Sequence, residues 1–321
     1  MSKVLFFSGQ PQQVADMFME KSPAGFTATA ASSRLSAAEK IELIQGVQYL
    51  VLHPAELANE VLREGRHLRL IQLLTAGYDK VNLQLANELG IPVANNGGAN
   101  SWSVAEHAIG LVLAIYKKLI QSDESVRAGT WRKPINGFNT FEVAGKTVGV
   151  LGAGNIGSKV ARRLKGFETN ILYYDVCQAL HLEQELGAKK AGLDELLSEA
   201  DIISIHLPLL PETRGLINKE KLALMKKTAV LINTSRAEVV DEQALIVALR
   251  EQRILGAGLD VFHHEPVKSD NPLLELENVI LSPHTAGHGY EGWGRRFQVA
   301  WENIQTVEDG QPPRYLVKPE I

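Results

Sequence analysis

Three residues suited to proton and anion chemistry stand just past three short apolar runs. AVLIN (229–233) continues through Thr234 and Ser235 into Arg236, GAGLD (256–260) leads to Glu265 within DVFHHEP, and NVILS (278–282) leads through Pro283 to His284 within SPHTAG. A histidine exchanges a proton near neutral pH, and a carboxylate bonded to its far nitrogen would fix which nitrogen carries the proton and stabilise the imidazolium. Arginine offers a planar fork of donors to an anion. If the runs are strands of one parallel sheet, their carboxyl ends open onto a shared crevice and the three side chains can meet there. Taken singly, each could equally be a packing or surface residue.

A second constellation lies upstream, in VGVLGAGNIG. Gly152, Gly154 and Gly157 form GxGxxG after an apolar run (147–151) and before a helical stretch marked by Ile156, Val160 and Leu164. Gly152 permits a tight turn, Gly154 lets backbone approach a pyrophosphate, and Gly157 allows close helix packing. The helix N-terminus offers N–H groups and the positive end of its dipole. Asp175 closes the next run, ILYYD, about 20 residues on, where a carboxylate accepts from ribose hydroxyls and repels the extra phosphate of NADP. Val176, Cys177 and Gln178 follow without an arginine, so the expected cofactor is NAD.

These motifs need a scaffold, and the chain supplies alternating apolar runs and helical periods, the pattern of an α/β protein with parallel sheets. Runs at 4–7, 26–30, 47–52, 70–74 and 91–95 predict five strands of a smaller first unit. Runs at 147–151, 171–175, 201–206, 229–233, 256–260 and 278–282 predict six strands of a dinucleotide-binding sheet. Between them, SWSVAEHAIGLVLAIYKKL places Val104, Ala108, Leu111 and Ile115 at helical spacing, and Ser103 with Glu106 reads as a capping box at the start of a long helix joining the domains. After Gly292, Trp293, Phe297, Ala300, Trp301, Ile304 and Val307 share one helical face. The expected organisation is a first domain over 1–100, a Rossmann domain over 101–287, and a return helix and tail over 288–321 that completes the first.

Composition excludes several classes. Lys plus Arg number 33 against 37 Asp plus Glu, a net charge of −4, and no basic block suggests a nucleic-acid surface. No run of about 18 apolar residues could span a membrane. The opening MSKVLFFSGQP holds only four consecutive apolar residues, too few for a secretory leader, and the single cysteine, Cys177, leaves no internal disulfide, so a cytoplasmic protein is expected. No metal is expected either. His263 and His264 are neighbours whose side chains diverge; His284 and His288 stand four apart with Glu291 beyond, but Pro283 precedes them and Thr-Ala-Gly separates them, without a helix-favouring run. His206 reads as structural or near an adenine, and His107, inside a helix, as packing or capping.

Across most of its length the chain resembles the NAD-dependent D-isomer-specific 2-hydroxyacid dehydrogenases, through TAGYDKVN, NNGGANSWSVAEHAIGLVLA, VGVLGAGNIG, HLPLLPETRGLIN, LINTSRAEVVDEQAL, GAGLDVFHHEP and SPHTAG. The resemblance implies two doubly wound parallel-sheet domains, a Rossmann domain inserted into a flavodoxin-like substrate domain. It implies that Arg236 binds substrate and orients its carbonyl, that Glu265 partners the histidine, and that His284 is the general acid/base. It also implies cofactor contacts at Asn155, Ile156, Asp175, Thr234 and Asp260, the last near the nicotinamide carboxamide. Backbone N–H groups of Thr75, Ala76 and Gly77 would cradle the substrate carboxylate, with domain closure completing the site. A homodimer built on the long helix and the segment around Trp131 and Phe138 is implied as well.

Departures from relatives narrow the substrate. Ala76 stands where phosphite dehydrogenases carry lysine, Leu73 where phosphoglycerate dehydrogenases carry arginine, and Glu265 where formate dehydrogenases carry glutamine. What remains is a reductase for a small 2-oxo acid such as glyoxylate or hydroxypyruvate, with Tyr78, Trp102 and Trp293 as candidate pocket walls. The alternative is an NAD(H)-sensing protein like the C-terminal-binding-protein corepressors, which resemble the same family.

Overall fold

A computed structural model describes residues 1–132 and 137–319, and the chain divides into two compact units, Met1–Asn100 with His288–Ile321, and Ser101–Gly287. The first unit opens with β1 (Ser2–Ser8), β2 (Phe26–Ser32), β3 (Tyr49–His53), β4 (Leu70–Leu73) and β5 (Val93–Ala94), all parallel, each joined to the next through a helix. The second contains β6 (Thr147–Leu151), β7 (Asn170–Tyr174), β8 (Lys189–Lys190), β9 (Ile202–Ile205), β10 (Val230–Asn233), β11 (Gly256–Leu259) and β12 (Val279–Leu281). The chain then returns to the first unit through the helix Tyr290–Glu308 and β13 (Leu316–Val317).

The second sheet runs β12-β11-β10-β9-β6-β7-β8, parallel throughout. Its order reverses at β6, so a crevice forms beyond the carboxyl ends of β6 and β9, where doubly wound sheets take dinucleotides. Alternate residues enter the two cores: Val230 and Ile232 join Val148 and Val150 on one face, while Leu231 joins Ile203, Ile205 and Leu259 on the other. Burial on both faces explains why these strands read as continuous apolar runs. The first sheet runs β13-β5-β4-β3-β1-β2, a flavodoxin-like order with one antiparallel edge strand. On one of its faces the helix Tyr290–Glu308 buries Trp293, Phe297, Trp301 and Ile304, with Trp301 stacked on Phe18 at 4.7 Å. Each such fully buried apolar side chain contributes about 1.5–3 kcal/mol.

Three expectations need correction. The second sheet has a seventh strand, β8, a two-residue exposed edge made of lysines, and the first gains β13 from the tail. The predicted capping box at Ser103 is absent: the helix Ser101–Lys117 begins two residues earlier, and the Glu106 carboxylate instead accepts from Arg163 at 3.0 Å, tying this helix to the helix Asn155–Lys165. A capping box does form at Ser36 and Glu39, ahead of the helix Ala37–Ile44. The helix Ser101–Lys117 also sits tightly on β11. A Cβ on Gly258 would lie 2.8 Å from the Leu111 Cβ, so GAGLD is glycine-rich because a helix covers it.

Candidate active site

Register brings the chemistry to one level. Asn233, Leu259 and Leu281 are partners across β10, β11 and β12, so the chain leaves all three strands at the same edge. Beyond that edge the His284 Nδ1 lies 2.8 Å from the Glu265 Oε2, while the other carboxylate oxygen accepts from the Phe262 backbone N–H at 3.1 Å. The carboxylate is thereby aimed at the ring, and Nδ1 carries the shared proton, which leaves Nε2 outside this contact and chemically able to exchange a proton. His284 has φ +54°, a left-handed conformation that costs a non-glycine residue about 1–3 kcal/mol and persists only where surrounding contacts enforce it.

Those contacts come from Asp260. Its carboxylate, 1% exposed, accepts from Ser282 Oγ at 2.6 Å, from the Thr285 N–H at 2.9 Å and from the Ala286 N–H at 2.8 Å. The His284 N–H donates to the Ser282 carbonyl at 3.0 Å. Asp260, expected as a cofactor contact, therefore first of all organises the loop that presents the histidine. On β10, the buried Asn233 does similar work: its Nδ2 donates to the Arg236 carbonyl at 2.9 Å and its Oδ1 accepts from the Ser235 N–H and Oγ, both at 3.0 Å. Arg236 thus stands on the same edge with its backbone held, its Nη1 donating to the Ser235 carbonyl at 2.8 Å.

The glycine-rich turn has the expected form. Gly152 has φ +93°, and a Cβ there would lie 2.7 Å from the His206 carbonyl oxygen; a Cβ on Gly157 would lie 1.9 Å from the Gly152 carbonyl oxygen. Gly154, which precedes the helix Asn155–Lys165, has open space where a Cβ would stand. Asn155 and Ile156 form the first turn, whose amides have no intrahelical acceptor. Asp175 braces the turn, accepting from the Ala153 N–H at 2.8 Å and the Cys177 N–H at 3.0 Å. Thr234 Oγ1 is buried with no hydrogen-bond partner among the described residues. An open cradle at a helix N-terminus and an unsatisfied hydroxyl at the neighbouring strand end both suit a dinucleotide.

In the first unit, the loop Thr75–Ala76–Gly77 follows β4 and its carbonyls are all engaged. Gly77 O accepts from Thr75 Oγ1 at 2.7 Å, Ala76 O from Asn95 Nδ2 at 3.0 Å, and Thr75 O from the Asn96 N–H at 3.1 Å. Among the described residues no acceptor takes the N–H groups of these three. NNGG is required by the same turn: Gly97 and Gly98 have φ +58° and +84°, and their N–H groups donate to the side chains of Asn95 and Asn96. Of the proposed pocket walls, Trp293 is buried beside Phe297 and His53, Tyr78 is half-buried, and Trp102 lies under the Lys159 ammonium at 4.2 Å.

The remaining histidines divide clearly. His263 Nε2 donates to the Val240 carbonyl at 3.1 Å, a loop tie. His288 packs 5.9 Å from Trp293. Among the described residues no three His, Cys, Asp or Glu side chains gather as a metal site. His206 bonds Ser204 Oγ at 2.8 Å, and burial pushes its pKa down to about 3. His107, read from sequence as packing or capping, lies 2.8 Å from Ser282 Oγ. Its partner is 175 residues away, and no local signal marks the pairing.

Residues 109–286 match the family model for the NAD-binding domain of D-isomer specific 2-hydroxyacid dehydrogenases. The chain is 41% identical to a glyoxylate reductase from Korarchaeum cryptofilum over 264 residues, 82% of this chain and 80% of that one. Among solved structures it resembles a D-lactate dehydrogenase with NAD+ from Lactobacillus jensenii, with TM-score 0.83, 27% identity and coverage of 99% of this chain and 100% of the other. An acyclic imino acid reductase in complex with NADPH and D-Arg is similar at TM-score 0.84 and 28% identity, covering 98% and 99%.

Proposed function

The chain belongs to the D-isomer specific 2-hydroxyacid dehydrogenases, NAD-dependent oxidoreductases, and on that premise we propose that it reduces a small 2-oxo acid of the glyoxylate or hydroxypyruvate class to the D-2-hydroxy acid. A nicotinamide cofactor held by this chain would supply the hydride for the carbonyl carbon. The residues assigned to the cofactor are Gly152, Gly154 and Gly157, which shape the turn with Gly154 at the pyrophosphate, Asn155, Ile156 and Thr234 as further contacts, Asp175 at the adenosine ribose, and Asp260 near the nicotinamide. His284 delivers a proton from Nε2 to the carbonyl oxygen, and Glu265 stabilises the imidazolium before transfer. Arg236 is assigned to the substrate carboxylate and the orientation of its carbonyl, and the N–H groups of Thr75, Ala76 and Gly77 in the other unit are separately assigned to an anion.

The observation that carries this reading is the 2.8 Å contact of His284 with Glu265 at the carboxyl edge of a dinucleotide-type sheet. Relatives named glyoxylate reductases support the substrate class. We also infer a homodimer, supported by exposed Leu119, Ile120, Val126, Trp131 and Phe138, although residues 133–136 of that segment lie outside the described ones. A cytoplasmic setting is supported by the single cysteine. Sedimentation as a monomer, or recovery outside the cytoplasm, would contradict these two assignments.

The deciding experiment is a panel of 2-oxo acids assayed by loss of NADH absorbance, with His284→Ala beside the wild type. Turnover of short 2-oxo acids is expected, reduced about 10²- to 10⁴-fold in the variant with NADH affinity nearly intact. NADH binding without turnover of any acid would instead favour the sensor alternative.

A further inference from the structure

We propose that His107 is a positioning residue for the acid/base loop, acting on His284 through Ser282 and Asp260. The inference rests on the assignment of His284 as the proton donor, and it begins from the donors and acceptors in one chain of contacts. Asp260 as a carboxylate only accepts, so the single hydroxyl hydrogen of Ser282 is committed to Asp260 Oδ1 at 2.6 Å. Toward His107 the Ser282 oxygen can therefore offer only a lone pair, and the hydrogen across the 2.8 Å contact must sit on His107 Nε2. That nitrogen also lies 3.7 Å from Asp260 Oδ1, so its N–H group stands beside the buried carboxylate.

The relay ends on the backbone of the catalytic loop. The same Asp260 carboxylate takes the N–H groups of Thr285 and Ala286, the two residues after His284, whose φ is +54°. Both ends of the His284 segment are consequently set by one hydrogen-bonded unit: Ser282 before it, Thr285 and Ala286 after it. His107 enters this hydrogen-bonded group from a different element, the helix Ser101–Lys117, which is pressed onto β11 at Gly258 and tied to the helix Asn155–Lys165 through Glu106 and Arg163. A rigid helix thus sets the Ser282 hydroxyl, the hydroxyl orients the carboxylate, and the carboxylate holds the loop. Misplacement of a reacting group by about 1 Å costs roughly 10²-fold in rate, so loosening the far end of the relay is expected to act on kcat.

The test compares His107→Leu, His107→Gln, Ser282→Ala and the double variant His107→Leu/Ser282→Ala. His107→Leu should lower kcat about 10-fold, with KM and NADH Kd changed less than about 2-fold and Tm nearly constant. His107→Gln, which keeps an N–H donor, should recover kcat to within about 3-fold of wild type, and the double variant should be no worse than the weaker single. With deuterated NADH, the isotope effect on kcat should grow in His107→Leu, because the chemical step becomes more limiting. A wild-type kcat in His107→Leu, no recovery in His107→Gln, or multiplicative losses in the double variant would each overturn the proposal. If His107→Leu does not fold, His107→Asn, whose side chain is too short to reach Ser282 Oγ, takes its place: it should lower kcat as His107→Leu would, and a wild-type kcat there overturns the proposal. Activity retained by His284→Ala would instead remove the reading on which the proposal stands.

Discussion

The carboxyl edges of the two sheets differ in the side chains that hold their loops. In the unit Ser101–Gly287, carboxylates hold backbone N–H groups: Asp260 takes those of Thr285 and Ala286, Asp175 those of Ala153 and Cys177, and Glu265 that of Phe262. In the other unit, neutral amides hold carbonyls: Gln72 Nε2 donates to Leu73 O and Asn95 O, Asn95 Nδ2 to Ala76 O, and Asn96 Nδ2 to Leu74 O. A carboxylate consumes donors and leaves negative charge beside them. An amide nitrogen consumes acceptors; the Asn95 and Asn96 oxygens also take the Gly97 and Gly98 N–H groups, but those of Thr75, Ala76 and Gly77 have no acceptor among the described residues. Negative charge in the first arrangement favours a neighbouring cation such as an imidazolium over a neighbouring anion; unpaired N–H groups in the second favour an anion. One fold type therefore carries a His284 loop held by carboxylates and, in the other unit, a Thr75–Gly77 loop held by amides, while Asn233 shows that an amide also holds backbone on the first of these edges.

The sharpest way to break this contrast is to put a carboxylate on the amide side. Asn95→Asp removes the donor to Ala76 O and adds charge beside the loop assigned to the substrate carboxylate. We expect KM for the 2-oxo acid to rise about 10- to 100-fold, with kcat affected less. Asn95→Ala, which removes the donor without adding charge, should show a smaller rise. Equal KM values for the two variants would mean that charge plays no part there.

A smaller effect is expected on the carboxylate side. Asp175→Ala should narrow the preference for NADH over NADPH in kcat/KM by about 10-fold, because the repulsion of a ribose phosphate is lost. Asp175→Asn should narrow it comparably while keeping an acceptor for the Ala153 or Cys177 N–H. An unchanged ratio in both would separate Asp175 from cofactor choice and leave it only the bracing of the turn.

How much of this could be read from the chain depended on the kind of signal. Strands buried on both faces announce themselves as apolar runs, and Arg236, Glu265 and His284 were visible because each follows such a run. The edge strands β8 and β13 were not, since two residues have no period and pair only because a neighbouring strand offers an edge. Asp260 was visible, but its bonds to Thr285 and Ala286 belong to tertiary structure. His107 was hidden in an apolar helix. The amide side left one overlooked clue: Gln72 interrupts LIQLL, and a polar residue in a fully buried strand needs partners, here Leu73 O, Asn95 O and the Asn303 amide.

The least perturbing test concerns pH and lies at the end of β9, on the edge that carries the His284 loop. His206 bonds Ser204 Oγ through Nε2, while its Nδ1 is buried with no hydrogen-bond partner among the described residues. Burial lowers its pKa from 6.5 to about 3, so the folded protein holds the ring neutral where the unfolded chain would protonate it. The unfolded state therefore binds the extra proton first as pH falls below 6.5, and the stability present above that value drains away as pH approaches about 3. The steepest slope from this one group is about 1.4 kcal/mol per pH unit. In urea unfolding between about pH 6 and pH 4, His206→Met should show a flatter dependence than wild type, the carboxylate contributions common to both cancelling in the difference. Parallel curves would mean that the ring is protonated equally readily in both states, and that the end of β9 is open to water.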